Sequence, residues 1–401
     1  MAVERAAQSL ASVSDFVVAG GGIGGLAAAL ALARHGLTSV VLERADSFAE
    51  LGAGIQIGPN AFHALDELGI GAAVKQDAVL IDELVMLDGL SGERILGIEV
   101  GESFPARYCN PYAVIHRADL HRALLEACRA SDFIVLMTDA RVVGFEQSGL
   151  AVNVRCANGA TLRGRALLGA DGLRSVIRSL VIGDGEPRVS GHVTFRATLL
   201  AEQMPAELRW NAAAIWVGPS THVVHYPLRG SRLFNLVATS HGAYAAEEHN
   251  IPADPREVLP LFEHLCAQPL GLMHTPREFR RWVLCDREPV ENWTRGNVTL
   301  LGDAAHPMLQ YFAQGACMAL EDAVCLAHEA SRSPSQLADA LLRYQQARVS
   351  RTARVQISSR LLGDIYHASG ALRLVRRDMY GSRSQEEFLR SLDWIYGHRA
   401  A

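Results

Sequence analysis

The chain has 401 residues, 49% of them hydrophobic and 20% charged, with a formal net charge of −5. That is apolar material enough for a sizeable core over two or three domains, and it excludes a disordered or collagen-like chain. The acidic balance, with no long run of Lys or Arg, argues against nucleic acid as a partner.

Met1 to Ser14 forms a polar lead-in with no export signal. An apolar run, Phe16-Val17-Val18, comes next and is followed at once by glycines and an Ala/Leu-rich segment. A second apolar run, Val40-Val41-Leu42, ends on Glu43. This predicts strand, tight turn, helix and strand, with Gly20, Gly22 and Gly25 in the glycine positions of G-x-G-x-x-G. Gly20 permits the turn, Gly22 lets a pyrophosphate approach the backbone, and Gly25 lets helix and strand pack closely. The phosphates then lie at the positive end of the helix. Glu43 follows Gly25 by 18 residues, close to the ~20 at which a carboxylate reaches both hydroxyls of an adenosine ribose. The apolar stretch Leu26 to Ala33 is too short to span ~30 Å of hydrocarbon, so no membrane helix is expected there.

Arg44 follows, then a loop with Gly52, Gly54 and Gly58, and Pro59 opens a helix through Leu68. The loop either lies flat against a planar ligand or is a plain connector. Residues 81–100 predict a hairpin that departs from the nucleotide fold. Arg117 begins a helix running to about Arg129. A cation there opposes the helix dipole, so its partner is either a nearby phosphate or only solvent. Three short alternating strands fill 140–168. Asp171-Gly172 follows a buried strand, and its acid either reaches a ligand at the sheet edge or caps the next helix.

Between 188 and 288 strand-like runs recur, interrupted by a helix over roughly Asp254 to Cys266, which predicts a second, mixed-sheet domain. On its strand HVVHYPL, His222 and Tyr226 share one face and His225 points to the other. The chain then returns to the first domain. A buried strand, Val298 to Leu301, runs into Gly302-Asp303 and on to His306-Pro307, and a helix begins near Gln314-Gly315. Residues from about Ser335 to Arg376 are helical and expected on the outside, with a last helix around Phe388 to Tyr396. The seven cysteines form no C-x-x-C pair, and they suggest free thiols in a reducing, cytoplasmic compartment. No H-E-x-x-H and no Cys/His spacing implies a metal.

Three separated elements now coincide: the glycine motif with Glu43, GADG at 169–172, and LLGDAAHP followed by QGACMALEDA. Together they resemble the single-component flavoprotein aromatic hydroxylases, the group A flavin monooxygenases of the 4-hydroxybenzoate hydroxylase type. The resemblance implies an α/β fold: a Rossmann-like FAD-binding domain, a mixed-sheet substrate domain and C-terminal helices. It implies the FAD domain at 1–80, 104–187 and 289–331, a substrate-domain hairpin at 81–103, the substrate sheet at 188–288 and a helical region at 332–401. Gly20, Gly22, Gly25 and Glu43 would hold the ADP half of non-covalent FAD, and Arg44 and Arg117 would also contact FAD. Asp171 and Gly172 would lie near FAD and the nicotinamide, and Gly302 and Asp303 near the ribityl and pyrophosphate. Pro307, Gly315 and Ala316 would border the flavin, where a helix N-terminus favours the reduced anion.

Within the family, His222, Tyr226 and Gln310 look most like the 3-hydroxybenzoate 6-hydroxylases, with salicylate and 6-hydroxynicotinate hydroxylases as the alternatives. The resemblance implies hydroxylation of a phenolic aromatic acid with dioxygen and NAD(P)H, NADH being preferred, by a homodimer. His222 is then the candidate base for the phenol, against a plain reading as a satisfied strand histidine. Tyr226 and Gln310 would orient the ring. Halogenation would need a W-x-W-x-I-P element, and none of the five tryptophans is two residues from another. A non-enzymatic flavin protein would not need these three polar residues.

Overall fold

The computed structural model describes residues 14–49, 53–245 and 248–400. The lead-in at 1–13 and Gly52 lie outside the described residues. The strand Ser14–Ala19 sits at the middle of a parallel sheet. Ser39–Leu42 and then Ile134–Met137 follow on one side, Thr161–Gly169 and then Val298–Leu300 on the other. Phe16, Val17 and Val18 are fully buried, because a parallel sheet is covered on both faces and its strands are apolar throughout. Helices Ile23–Arg34 and Gly315–Arg332 pack against each other on this sheet. An antiparallel meander, Val142–Ser148 and Ala151–Cys156, extends from Thr161–Gly169.

The second sheet has eight strands and obeys the other periodicity. Its order is His249–Ala253, Phe279–Asp286, Arg188–Leu200, Leu233–His241, Thr221–Leu228, Ala212–Gly218, Glu83–Asp88 and Arg94–Glu99. The hairpin near residue 90 therefore leaves the first fold and finishes this sheet, pairing in parallel with Ala212–Gly218. Side chains alternate between the faces. Val193, Phe195, Val223, Leu236 and Ala238 enter a closed apolar core with Phe262 and Phe279. Thr194, Arg196, His222, Tyr226 and Thr239 occupy the other face, towards the first domain.

Two expectations are corrected. The helix expected over Asp254 to Cys266 is one short turn, Pro255–Val258, followed by a 3-10 turn at Leu259–Leu261. Pro260 removes a backbone donor and stops the helix. The C-terminal helices also do not simply pack outside. The helix Leu337–Tyr366 has 30 residues, about 45 Å at ~1.5 Å per residue. Tyr344, Arg348, Thr352 and Val355 are buried along it. Its buried seam is largely polar, so a hydropathy pattern does not mark it. The helix Gln385–Tyr396 starts with a capping box at Ser384 and Glu387. Tyr396 at its end joins Phe104, Tyr108 and Tyr112 in an aromatic cluster.

Candidate active site

The glycine loop is shaped by contacts that admit no side chain. Gly20 has φ +112°, and a Cβ there would lie 2.3 Å from the Ala170 carbonyl oxygen. A Cβ on Gly25 would lie 1.9 Å from the Gly20 carbonyl oxygen. Gly22 caps the helix Ile23–Arg34 without any side-chain bond, which leaves the first-turn N–H groups to an anion. The Glu43 carboxylate accepts from the Gly21 N–H at 3.0 Å and the Ala45 N–H at 2.9 Å. It fixes the loop and keeps acceptor capacity for hydroxyls. His121, not foreseen from the sequence, holds the loop from behind, with Nε2 2.8 Å from the Gly21 carbonyl oxygen. Its only sequence signal is a place on the buried face of the helix Arg117–Arg129. Gly25→Ala should abolish yellow colour or solubility, since backbone meets the new methyl; a soluble, fully flavin-loaded Gly25→Ala protein would disprove this packing.

Arg117 begins its helix, and its N–H donates to the Ala53 carbonyl at 2.9 Å. Burial, then Arg196, Arg117, Arg174 and Arg44, hold the His249 imidazole below its usual range. The Asp171 carboxylate accepts from Ser175 Oγ and from the Val176 and Ile177 N–H groups, the latter two at 2.8 and 3.3 Å. The acid thus caps the helix Val176–Val181, one of its two possible roles, and burial pushes its pKa up. Gly172 beside it has φ +79° and open space around it.

The Gly302–Pro307 turn is held from beneath by buried charge. Asp322 Oδ2 accepts from the Gly302 N–H at 3.1 Å and meets His306 Nε2 at 2.6 Å. Arg178 donates to the Ala304 and Ala305 carbonyls at 2.9 and 2.6 Å. Gln356 donates to the Pro307 carbonyl at 3.0 Å. Asp303 is exposed on this turn, and the nearest atom to a Cβ built on Gly315 is its Oδ1, at 3.9 Å. Gly315 opens the helix Gly315–Arg332, and Ala316 follows half-buried.

The sheet face opposite carries the remaining polar residues. Gln310 donates to Thr194 Oγ1 and Thr239 Oγ1 at 2.8 and 3.0 Å and accepts from Arg196 at 2.8 Å. Arg196 also lies over the Trp282 ring, 5.2 Å from its centroid. Tyr226 is buried, and a Cβ at Gly54 would meet its ring at 2.5 Å. The glycine therefore lets the loop close over the tyrosine. His222 is 2% exposed, and burial lowers its pKa to about 3, so the imidazole is neutral at neutral pH. His225 turns away into the core, 5.7 Å from the Trp210 ring. Arg196 and Thr194 were not singled out from the sequence, although the alternation HVTFRAT carries them to this face. Among the described residues His192, His241 and His367 bring ring nitrogens within 4.8 Å of one another. Chain spacing gave no sign of that cluster.

A family model described as an FAD binding domain matches residues 14–356. The chain belongs to this family. It is a flavoprotein hydroxylase, an oxidoreductase with FAD as cofactor, and the glycine cradle, Glu43 and the open helix N-terminus fit the ADP half of that group. Similar proteins include the 3-hydroxybenzoate 6-hydroxylase 1 of Aquipseudomonas alcaligenes, 48% identical over 96% of this chain and 98% of that one. The 3-hydroxybenzoate 6-hydroxylase of Polaromonas naphthalenivorans is also 48% identical, over 95% of each chain. Among solved structures, a single-substitution variant of the HpxO of Klebsiella pneumoniae complexed with FAD is similar, with a TM-score of 0.83 and 25% identity over 95% of this chain and 97% of that one. No described helix of the hydroxylase is long and apolar enough to cross a membrane.

Proposed function

We propose that this hydroxylase converts 3-hydroxybenzoate to 2,5-dihydroxybenzoate with NADH, a proton and dioxygen, forming NAD⁺ and water. The observation that carries this is a buried, neutral imidazole, His222, on one sheet face with Arg196 and Tyr226, and Gln310, from the turn Gln310–Phe312, bonded to Arg196 against that face. The strong identity to proteins named for this reaction supports it.

Bound FAD supplies hydride acceptance and activation of oxygen. The chain's residues must then make the ring electron-rich and present one carbon. His222 takes the proton of the ring hydroxyl, which raises electron density at the ortho and para carbons. The para carbon of 3-hydroxybenzoate is C6. Gln310, held on three sides by Thr194, Thr239 and Arg196, has a fixed amide and sets the ring's orientation. Arg196 supplies positive charge for an anionic ring, and the buried Tyr226 hydroxyl bounds the same space.

Product identification tests this reading. Purified yellow enzyme is given NADH or NADPH with 3-hydroxybenzoate, salicylate or 6-hydroxynicotinate, and products are separated by chromatography. The expected result is 2,5-dihydroxybenzoate from 3-hydroxybenzoate, faster with NADH. Hydroxylation of one of the other two acids with 3-hydroxybenzoate untouched would overturn it.

A further inference from the structure

His222 is one end of a chain of rings. Its Nδ1 lies 2.8 Å from His367 Nε2, and His367 Nδ1 lies 2.9 Å from His241 Nε2. The three come from separate elements: the strand Thr221–Leu228, the C-cap of the long helix Leu337–Tyr366, and the end of the strand Leu233–His241. Their exposure rises along the chain, from His222 at 2% and His367 at 7% to His241, which is exposed. The set is braced. His192 stacks on His241 at 4.4 Å, and its Nδ1 meets the Tyr311 hydroxyl at 2.6 Å. The Ser220 N–H donates to the His367 carbonyl at 3.1 Å, which ties the helix end to the sheet. By contrast, neither ring nitrogen of the buried His225 has a hydrogen-bond partner among the described residues.

Resting on the assignment of His222 as the phenol's base, we propose that His367 and His241 carry the substrate proton from His222 to solvent. In the starting state each ring holds its proton on Nδ1. His222 then donates to His367, His367 donates to His241, and His222 Nε2 is left as the acceptor. The substrate O–H bond breaks and an N–H bond forms at His222 Nε2. The Nδ1 proton of His222 moves to His367 Nε2, that of His367 to His241 Nε2, and that of His241 to water. No electrons change hands. After hydroxylation the product's oxygen at the former hydroxyl takes a proton back along the same path, and all three rings return to the starting state.

The surroundings favour passage over storage. Burial, then the neighbouring His192, brings His222 to about 3, and burial together with His222, His192, His241 and Arg376 holds His367 far below the usual range. Neither ring keeps a second proton at neutral pH. Burial also lowers His241, but Asp364 opposes it there, so charge is best tolerated at the exposed end. Tyr311 and Tyr366 face His222 as neutral phenols, both raised by burial.

The test uses the full-length, FAD-loaded enzyme and the variants His241→Ala and His367→Gln, with flavin content and melting temperature measured for each. Proton release on mixing with 3-hydroxybenzoate is followed by stopped flow with a pH indicator, and product formed per NADH is measured. Both variants should release the proton about 10–100-fold more slowly, a modest share of a general-base effect. Both should also make less product per NADH. Added imidazole should restore His241→Ala, which a merely structural role would not produce. Wild-type release rate and coupling in both variants, or in His241→Ala alone if His367→Gln does not fold, would overturn the relay. In that case the function stands if the parent enzyme still makes 2,5-dihydroxybenzoate and His222→Ala does not. A parent enzyme that makes none removes the function and the relay with it.

Discussion

His222→Ala should leave FAD bound and NADH oxidation running while hydroxylation falls by about 10²–10⁴, the range for a positioned general base. The glycine loop, the Gly302–Pro307 turn and the helix at Gly315 do not depend on the His222 side chain, so flavin content should match the parent. The ring hydroxyl would keep its proton, and the ring would be too electron-poor to be attacked efficiently. Reducing equivalents should then appear as hydrogen peroxide. The measurement is product formed per NADH with peroxide assayed beside it. Normal rate and coupling with 3-hydroxybenzoate would show that His222 is not the base.

Arg348→Leu should destabilise the fold by about 3–5 kcal/mol, the cost of stripping one partner from a buried ion cluster. Arg348 lies 2.7 Å from both Glu321 and Asp322, and all three are at most 2% exposed. Burial alone would raise the Asp322 carboxyl, but His306 and Arg348 outweigh it and hold it down at about 2. Glu321 would keep Arg351, whereas Asp322 would lose its one arginine among the described residues and keep the His306 ring and the Gly302 N–H. Because Asp322 also holds the Gly302 N–H, flavin retention should fall together with the urea midpoint. Asp322's folded-state pKa is depressed, so its contribution is present above the ordinary 3.8 and is lost as pH falls towards about 2. The parent should therefore weaken across that window. An Arg348→Leu protein with an unchanged midpoint would mean that leucine packs there as well as the ions do.

What the sequence reveals depends on how far each requirement reaches. Gly25 is legible because the Gly20 carbonyl, five residues away, leaves no room for a side chain, and Gly20 because it belongs to the same short motif, although the backbone that crowds it is that of Ala170. His222 and Tyr226 are legible because a strand puts every second residue on one face. Arg196 obeys the same rule and could have been found from HVTFRAT. Gln310 stood out through family resemblance, not through a local pattern, since its partners lie 71 to 116 residues away in the chain. His367 has no local signature at all: its partners are 145 and 126 residues distant, on strands it meets only after the whole sheet is assembled. The buried seam of the long helix was hidden for a related reason. Arg348 and Thr352 look like surface residues until the acids opposite them are known.

The hairpin Glu83–Glu99 has one more consequence. It is made early but finishes a sheet whose other strands begin only at Arg188. Asp88 on it waits for Arg373, 285 residues on, and Arg107 nearby waits for Asp393. A chain leaving the ribosome therefore carries the hairpin without its sheet neighbour until Ala212–Gly218 has been made. Each sheet also encloses chain that belongs to the other. Folding is therefore rich in long-range closures, the regime in which rates are slow and exposed strand edges invite aggregation.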